Sequence, residues 1–211
     1  MDKNKTKIKI CGIKNVKIIE KIIKLKIDFL GLNFIEESRR YIEKNSALEI
    51  VRTIKKNSKI NIVGLFQDHT ISYVNKSSQE YNLDYVQLCG NEDLKYIQEL
   101  DIKVIKVIHI KSQDSVKEVK KKINDYLLIC EYIILDTYSK KASGGTGKSF
   151  DWNEYSSLFS KKVFVAGGLN PDNVSEVVKT YAPWGIDVSS GVETNGEKDI
   201  YKIENFINRS N

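Results

Sequence analysis

Residues 163–191 read VFVAGGLNPDNVSEVVKTYAPWGIDVSSG and contain the pattern that decides the fold. An apolar run of strand length, Val163–Ala166, leads into two glycines. A second run of strand length, Gly185–Val188, leads into Ser-Ser-Gly. Short apolar runs bounded by turn residues are typical of buried strands. The segment therefore predicts two strands, each ending in a glycine-bearing loop.

The residues between these two runs have the spacing of a helix. Apolar side chains recur at intervals of three or four residues, at Val174, Val177, Val178 and Tyr181. This spacing places one apolar stripe on a helix. Asn170 and Pro171 predict its start, with asparagine as the N-cap and proline in the first turn. A strand, a helix and a strand in this order predict a parallel βαβ unit.

The same alternation extends back to the N-terminus. Six further runs of strand length are present, at Ile8–Cys11, Phe29–Phe34, Ile60–Phe66, Tyr85–Leu88, Val104–Ile108 and Tyr132–Leu135. Each run is followed by enough residues for a helix. Asp151 is a candidate N-cap for the helix that follows the sixth run. Eight such units predict an α/β protein with the TIM (βα)8 barrel, a single domain over residues 1–211. The alternative is a doubly wound open sheet, although no Gly-x-Gly-x-x-Gly motif follows the first strand.

Composition limits the function further. The 211 residues are enough for a substantial core, and the net charge of +6 comes from lysines spread along the chain. This distribution is typical of solvated helix faces, so we expect no nucleic-acid partner. No apolar run approaches the roughly 18 residues of a membrane span, and no secretion signal is recognisable, so we expect no membrane association. Three cysteines without a Cys-x-x-Cys motif, and two distant histidines, predict a cytoplasmic protein with no metal site.

The active site of a TIM barrel lies at the C-terminal ends of its strands. The loops after the last two strands carry Gly167 and Gly168, and Ser189 and Ser190. Either loop alone could be a simple turn. Together they lie where this fold usually binds phosphate, because glycine lets backbone amides approach an anion. The pair therefore predicts a phosphate site.

A third glycine-bearing segment, Ala142–Gly147, follows the sixth predicted strand. It could be a lid that closes over substrate, or a loop with no role. Its glycines do not have the spacing of a P-loop, which argues against an ATPase.

Three side chains at strand ends are candidates for chemistry. Cys11 precedes Gly12 and a predicted helix, and a thiol at a helix N-terminus can have a lowered pKa, although a lone cysteine is usually an inert core residue. Asp136 ends the sixth strand and could instead cap a turn. Arg40 could pair with a substrate carboxylate, but Arg39 beside it leaves the choice between the two open.

The chain resembles the phosphoribosylanthranilate isomerase family of tryptophan biosynthesis. The motifs that carry the resemblance run in family order over essentially the whole chain. They are Lys9–Ile13, Asp84–Leu88 with Gly90, Leu135-Asp136, Gly144–Gly147 with Phe150–Trp152, Ala166–Val174 and Gly185–Glu193.

The resemblance implies an Amadori rearrangement of N-(5-phosphoribosyl)anthranilate, a small phosphorylated sugar, without cofactor or metal. It implies that Asp136 is the general acid and Cys11 the general base, and that Arg40 holds the anthranilate carboxylate. It also implies that Gly167, Gly168, Ser189 and Ser190 bind the phosphate, with an amide from Gly145, and that Asp187 orients the substrate. Members of the family are monomers or homodimers, and we expect one of these two states.

The sequence departs from the family pattern at two positions. Arg39 stands where proline is usual, and Cys89 stands where histidine is common, so that Cys89 becomes a candidate for lining the site. Two other functions compete with this interpretation. They are the longer histidine-pathway isomerase, which uses a pair of aspartates, and a phosphate-binding barrel without catalytic activity. The cysteine at the end of the first strand argues against the former.

Overall fold

The computed structural model describes residues 5–137, 151–160 and 162–210. Eight parallel strands, neighbours in sequence order, close into a barrel in which β8 pairs with β1. The strands are β1 (Lys7–Cys11), β2 (Phe29–Asn33), β3 (Asn61–Phe66), β4 (Tyr85–Leu88), β5 (Val104–Ile110), β6 (Tyr132–Thr137), β7 (Val163–Val165) and β8 (Gly185–Val188). The predicted TIM barrel is confirmed, and the open sheet is wrong because the barrel leaves no free edge.

Helices follow the strands around the outside. They are α1 (Ile19–Ile22), α2 (Lys44–Asn57), α3 (Ile71–Glu80), α4 (Leu94–Gln98), α5 (Val116–Tyr126), α6 (Trp152–Tyr155), α7 (Val174–Tyr181) and α8 (Ile200–Arg209). Short 3₁₀ helices occur at Val16–Ile18, Ser156–Leu158 and Ser190–Val192, and β9 (Glu193–Thr194) pairs antiparallel with β10 (Glu197–Lys198). In the described part of the chain, no helix has the length and apolar character needed to cross a membrane.

Capping residues in the sequence predict two helix starts, and the structure confirms one of them. Asp151 caps α6 as predicted, accepting hydrogen bonds from the backbone N–H groups of Asn153 and Glu154. The predicted start of α7 at Asn170 is wrong by one turn, because the helix begins at Val174. Asn170 instead closes a turn, since its side-chain oxygen accepts from the N–H of Asp172 at 2.8 Å. The extra turn lengthens the loop that β7 presents at the barrel rim.

Alternation along each strand separates two cores. One set of side chains packs between the barrel and the helices, as Ile8 and Ile10 of β1 do. The other set points into the barrel, and Cys11 belongs to it. Because side chains alternate in a strand, Lys9 faces inward together with Cys11. The inner set positions the candidate chemistry.

An aromatic cluster fills the N-terminal end of the barrel, and we call it the barrel floor. It consists of Phe29, Tyr85, Tyr132, Phe164 and Trp184. Phe29 packs edge-on against Phe164 with ring centroids 5.3 Å apart, and Trp184 stacks on Tyr132 at 4.9 Å. The barrel floor is therefore closely packed, and the candidate chemistry lies toward the opposite, C-terminal end of the barrel.

Candidate active site at the C-terminal rim

Cys11 is the last residue of β1 and points into the barrel at the rim. Gly31 on the neighbouring strand makes room for it, since a Cβ on Gly31 would lie 3.1 Å from the Cys11 sulfur. The Ser189 hydroxyl donates to the Cys11 carbonyl oxygen at 3.2 Å, which joins the loop after β8 to the end of β1. The thiol is buried, with the residue 7% exposed.

The structure corrects the expected origin of the reactivity of Cys11. No helix starts directly after Gly12, because the next helical turn begins at Val16. Burial raises the pKa of the Cys11 thiol, and the positive charges of Lys9, Lys198 and Arg40 oppose that effect. Neighbouring cations, rather than a helix N-terminus, are therefore the groups that favour a thiolate here.

Asp136 lies near the end of β6 and also points into the barrel. Its Oδ1 accepts a hydrogen bond from the backbone N–H of Thr137 at 2.7 Å. Burial raises the pKa of Asp136, while the charge of His109 and the Thr137 hydrogen bond lower it. The net shift is upward, so the protonated form needed by a general acid is favoured.

Arg40 is buried, contrary to the surface location that an arginine in a loop usually has. Its Nε donates to Glu193 Oε1 at 2.7 Å and its Nη2 donates to Glu193 Oε2 at 3.0 Å. Lys198 binds the same carboxylate, and Arg39 reaches it from a side chain that is 58% exposed. The structure thus separates the two arginines that the sequence left ambiguous, since Arg40 packs at the rim and Arg39 lies outside.

Arg40, Glu193 and Lys198 form a buried charge cluster, and burial and their mutual electrostatic interactions shift the pKa values of Glu193 and Lys198. The pKa of Glu193 is lowered, because hydrogen bonds from Arg40 and Lys198 together outweigh the opposing effect of burial. The pKa of Lys198 is also lowered, because burial and the nearby charge of Arg40 outweigh its attraction to Glu193. Lys198 additionally donates to the Ser189 carbonyl oxygen at 2.9 Å. The cluster therefore fixes the loop that carries the candidate phosphate ligands.

The loops after β7 and β8 lie directly against each other. Gly167 and Gly168 both have positive φ, +80° and +72°, which glycine adopts without strain. A Cβ on Gly191 would lie 1.9 Å from the Leu169 carbonyl oxygen, so only glycine allows this close backbone approach. A 3₁₀ helix begins at Ser190, immediately after the β8 loop. The two loops therefore adjoin at the rim beside a short helix start, an arrangement that suits anion binding in other proteins.

The loop after β4 carries Cys89 at the rim. Gln87 donates from Nε2 to the Cys89 sulfur at 3.4 Å, and His109 Nε2 lies 3.2 Å from the Cys89 carbonyl oxygen. Burial raises the pKa of Cys89 to about 12. Cys89 is therefore placed to line the rim as a neutral thiol.

Several charged residues of the candidate site are not predicted from the sequence. Lys9 is fully buried and its ammonium group donates to Asp187 Oδ1 at 3.0 Å. Its signal was a lysine inside an apolar strand pattern, two residues before Cys11. Glu193 stands at the end of a motif that predicts no role for it, and Lys198 carries no local signal. Of the predicted residues, Gly145 and the segment Ala142–Gly147 lie outside the described residues.

The rim therefore brings together a thiol, a carboxyl group and two glycine loops at one mouth of a closed barrel. Within the described ranges, no group of three or more His, Cys, Asp or Glu side chains is arranged to hold a metal ion. Fold and site together define a (βα)8-barrel enzyme.

Comparison with known proteins specifies the family. The family model of N-(5'-phosphoribosyl)anthranilate (PRA) isomerase matches residues 8–209. The chain is 41% identical over 208 residues to the N-(5'-phosphoribosyl)anthranilate isomerase of Dehalococcoides mccartyi. The alignment covers 96% of this chain and 94% of that protein. The chain belongs to the N-(5'-phosphoribosyl)anthranilate isomerase family, whose members are isomerases of tryptophan biosynthesis.

Solved structures agree with this assignment. The phosphoribosylanthranilate isomerase of Thermotoga maritima superposes with a TM-score of 0.84 at 28% identity, covering 97% of this chain and 98% of that one. A phosphoribosylanthranilate isomerase in complex with reduced 1-(o-carboxyphenylamino)-1-deoxyribulose 5-phosphate superposes with a TM-score of 0.79, also at 28% identity and with the same coverage. The barrel and the family resemblance predicted from sequence are thus both confirmed.

Proposed function

We propose that this protein converts N-(5-phosphoribosyl)anthranilate into 1-(2-carboxyphenylamino)-1-deoxyribulose 5-phosphate, with Asp136 as general acid and Cys11 as general base. The observation that carries the proposal is the shared inward orientation of Cys11 and Asp136 at the rim where two glycine loops adjoin. A solved relative in complex with reduced 1-(o-carboxyphenylamino)-1-deoxyribulose 5-phosphate, the reduced form of the proposed product, supports the choice of substrate.

The phosphate anchors the substrate in this proposal. Backbone amides of Gly167 and Gly168 and the polar groups of Ser189 and Ser190 surround it, with Gly145 as a further donor. The positive φ at both glycines turns the loop after β7, and Lys198 fixes the opposite loop through the Ser189 carbonyl. A preformed anion pocket lowers the entropy lost when the sugar is oriented for reaction.

Arg40 binds the anthranilate carboxylate in this proposal. Guanidinium has five N–H donors, and the pair with Glu193 uses one on Nε and one on Nη2. The remaining hydrogens can reach a carboxylate without breaking the buried pair. Glu193 therefore orients Arg40, and the substrate completes its hydrogen bonding.

The first step is opening of the ribose ring. Asp136 gives its proton to the ring oxygen, the bond from C1 to that oxygen breaks, and the nitrogen lone pair forms an iminium at C1. Asp136 must begin protonated, and its burial favours that state. The acid becomes a carboxylate that stabilises the positive iminium.

The second step moves the C2 proton. Cys11 as thiolate removes it, the electron pair forms the C1–C2 double bond of an enolamine, and the iminium is neutralised. Protonation of C1 and loss of the C2 hydroxyl proton then give the ketone. Asp187, held by Lys9, orients the sugar between the two groups. Atoms and electrons stay within the substrate, apart from protons exchanged with the two side chains.

The decisive test follows the fluorescence of N-(5-phosphoribosyl)anthranilate during turnover. We expect the wild-type chain to consume it, and Cys11→Ser and Asp136→Asn each to lower kcat by a factor of about 10² or more. Cys130 offers a matched control, since it is buried in the outer core away from the rim. Cys130→Ala should keep the wild-type rate.

Each outcome has a defined meaning. A near-normal rate in either variant removes that residue from the mechanism. Binding of the substrate by the wild-type chain without conversion would favour the phosphate-binding barrel. Arg40→Ala should raise KM mainly, because it removes a contact made equally in the ground state and in the transition state.

Compartment and assembly complete the proposal. All three cysteines are free thiols, which fits the reducing cytoplasm that we propose as the location. We keep monomer and homodimer as the two expected states, and one solved relative is described as dimeric. Light scattering on the purified chain distinguishes a mass of 24.2 kDa from twice that value.

A further inference from the structure

An ion pair lies inside the barrel below the candidate base. Lys9 precedes Cys11 by two residues on β1, so both face inward, and its side chain is 0% exposed. Its ammonium group donates to Asp187 Oδ1 at 3.0 Å, and that carboxylate is 9% exposed. Lys9 and Asp187 are also register partners on the paired strands β1 and β8.

Stability does not explain this pair. Desolvation of a buried ion pair commonly cancels its attraction, and apolar replacements of similar volume are often as stable. A second buried pair in the chain has a clear structural task, since Lys106 binds Glu92 and also the carbonyl oxygens of Leu88 and Gly90. Lys106 thereby fixes the loop after β4. Among the described residues, Lys9 instead has Asp187 as its one hydrogen-bond acceptor.

The order of strands around the barrel shows which end of the Lys9–Asp187 ion pair lies toward each candidate catalytic group. Going round the ring from β6 through β7 to β8 and β1, one meets Asp136, then Asp187, then Lys9 and Cys11. The positive end of the pair is on the strand of the candidate base. The negative end lies on the side of the candidate acid.

We propose that Lys9 is a positioning residue for the reaction, whose charge favours the thiolate of Cys11 and holds Asp187 on the side of Asp136. This proposal rests on the proposed function, which makes Cys11 the base and Asp136 the acid. The oriented pair then drives the two groups toward opposite protonation states, the thiol deprotonated and the carboxyl group protonated.

The electrostatics of the two groups agree with this geometry. Burial raises the pKa of Cys11, Lys9 lowers it, and Asp187 raises it by less than Lys9 lowers it. Burial also raises the pKa of Asp136, where the raising effect of Asp187 exceeds the lowering effect of Lys9. Burial lowers the pKa of Lys9 itself, but Asp187 and Cys11 more than offset this, so the lysine keeps its charge.

Other groups also face these two residues. Lys198 on β10 and Arg40 after β2 lower the pKa of Cys11, and the Cys89 thiol lies within electrostatic range of it. His109 on β5 lowers the pKa of Asp136. Variants at Lys9 leave these residues in place, so a change in thiol acidity can be assigned to the ion pair.

The test measures the acidity of Cys11 directly. The rate of iodoacetamide labelling is followed against pH, and mass spectrometry of the peptide containing Cys11 separates it from the other two thiols. Lys9→Met should raise the labelling midpoint by about one pH unit or more, as expected for loss of a nearby opposite charge. The double variant Lys9→Met/Asp187→Asn should lie between Lys9→Met and wild type, because Asp187 opposes the thiolate.

Lys106→Met is the matched control, since it also removes a buried lysine paired with a carboxylate. Its Cys11 midpoint should equal the wild-type value. If Lys9→Met does not fold, the double variant leaves no buried charge unpaired and must still lie above wild type. A midpoint at or below wild type in whichever of the two variants folds overturns the proposal.

Failure of this proposal and failure of the proposed function are distinguishable. Labelling needs no turnover, so an unchanged midpoint overturns the role of Lys9 even where Cys11→Ser is inactive. Conversely, full turnover by Cys11→Ser would overturn the assignment of the base while a raised midpoint in Lys9→Met still supported the electrostatic link. A lowered rate of Lys9→Met that is rescued at high pH supports the role in catalysis.

Discussion

Replacing Glu193 by glutamine tests the energetics of the charge cluster at the rim. The Glu193 side chain is 5% exposed and accepts hydrogen bonds from Arg40 at 2.7 and 3.0 Å. Lys198 binds the same carboxylate and is equally withdrawn from water. Glu193→Gln keeps the shape and one acceptor oxygen but removes the only negative charge shared by these two buried cations in the described cluster.

The expected cost follows from that burial. Removing one partner of a buried ion pair typically costs about 3–5 kcal/mol, because the charge left behind stays desolvated. The retained amide oxygen places Glu193→Gln at the lower end, about 3 kcal/mol. A loss of that size is a large fraction of the roughly 5–15 kcal/mol by which a folded domain is stable.

Urea unfolding followed by circular dichroism measures this loss, and Arg39 supplies the control. Arg39 binds the same carboxylate at 3.1 Å but from a largely exposed side chain, so Arg39→Ala should cost less than about 1 kcal/mol. Equal losses in the two variants would refute the argument that burial decides the energy of the cluster.

The pH dependence of the same variants provides a second measurement. The folded-state pKa of Glu193 is lowered, so its contribution is present above its unfolded pKa of about 4.3 and is lost as pH falls through the folded value. The difference in stability between wild type and Glu193→Gln should therefore shrink below about pH 4. A difference that stays constant down to pH 2 would contradict a charged Glu193 in the folded state.

Three further changes test the floor, the rim loops and a helix cap. Phe29→Ala should cost about 3–5 kcal/mol in urea unfolding, since it empties the centre of the aromatic floor, while kcat of the remaining folded protein stays near wild type. Gly191→Ala should raise KM at least tenfold and lower stability, because its methyl group would meet the Leu169 carbonyl oxygen; unchanged KM would argue against phosphate binding between these loops. Ser115→Ala should cost about 1 kcal/mol in the same unfolding assay by removing the capping box of α5, and a loss below about 0.3 kcal/mol would contradict that role.

Most of the fold was predictable because each strand is an apolar run bounded by polar turns. The runs predicted at 85–88 and 185–188 coincide with β4 and β8, and the other six differ from the observed strands by one or two residues at an end. Ends are less certain because pairing with a neighbour decides them. For example, β5 continues to Ile110, where it pairs with Thr137.

The site was predictable only in part, for a reason rooted in long-range contact. Cys11, Asp136 and the glycine loops lie at strand ends, so the barrel rule locates them, although their roles stay predictions. Glu193 binds Arg40, which is more than 150 residues away in sequence, and Lys198 joins the cluster through the same carboxylate. No local pattern encodes that contact, and it becomes visible only when the barrel closes.

The charged groups that affect the pKa of the Cys11 thiol also could not be predicted from the neighbouring sequence. The sequence suggested a helix N-terminus as the activating feature, but the chain runs through Asn15 before any helical turn forms. The cations near the thiol come from β1, from the loop after β2 and from β10. The groups that oppose the effect of burial on the pKa of this thiol come from three separate elements, so their effect depends on tertiary structure alone.

The stacking of Trp184 on Tyr132 has a practical consequence for spectroscopy. The indole lies at the far end of the barrel from the candidate site, in contact with the rings of Tyr132 and Phe164 in the barrel floor. Its emission should respond when that end loosens and remain steady when a ligand enters the opposite mouth. Trp184 fluorescence would then report unfolding of the barrel floor while the reaction is followed at the C-terminal rim.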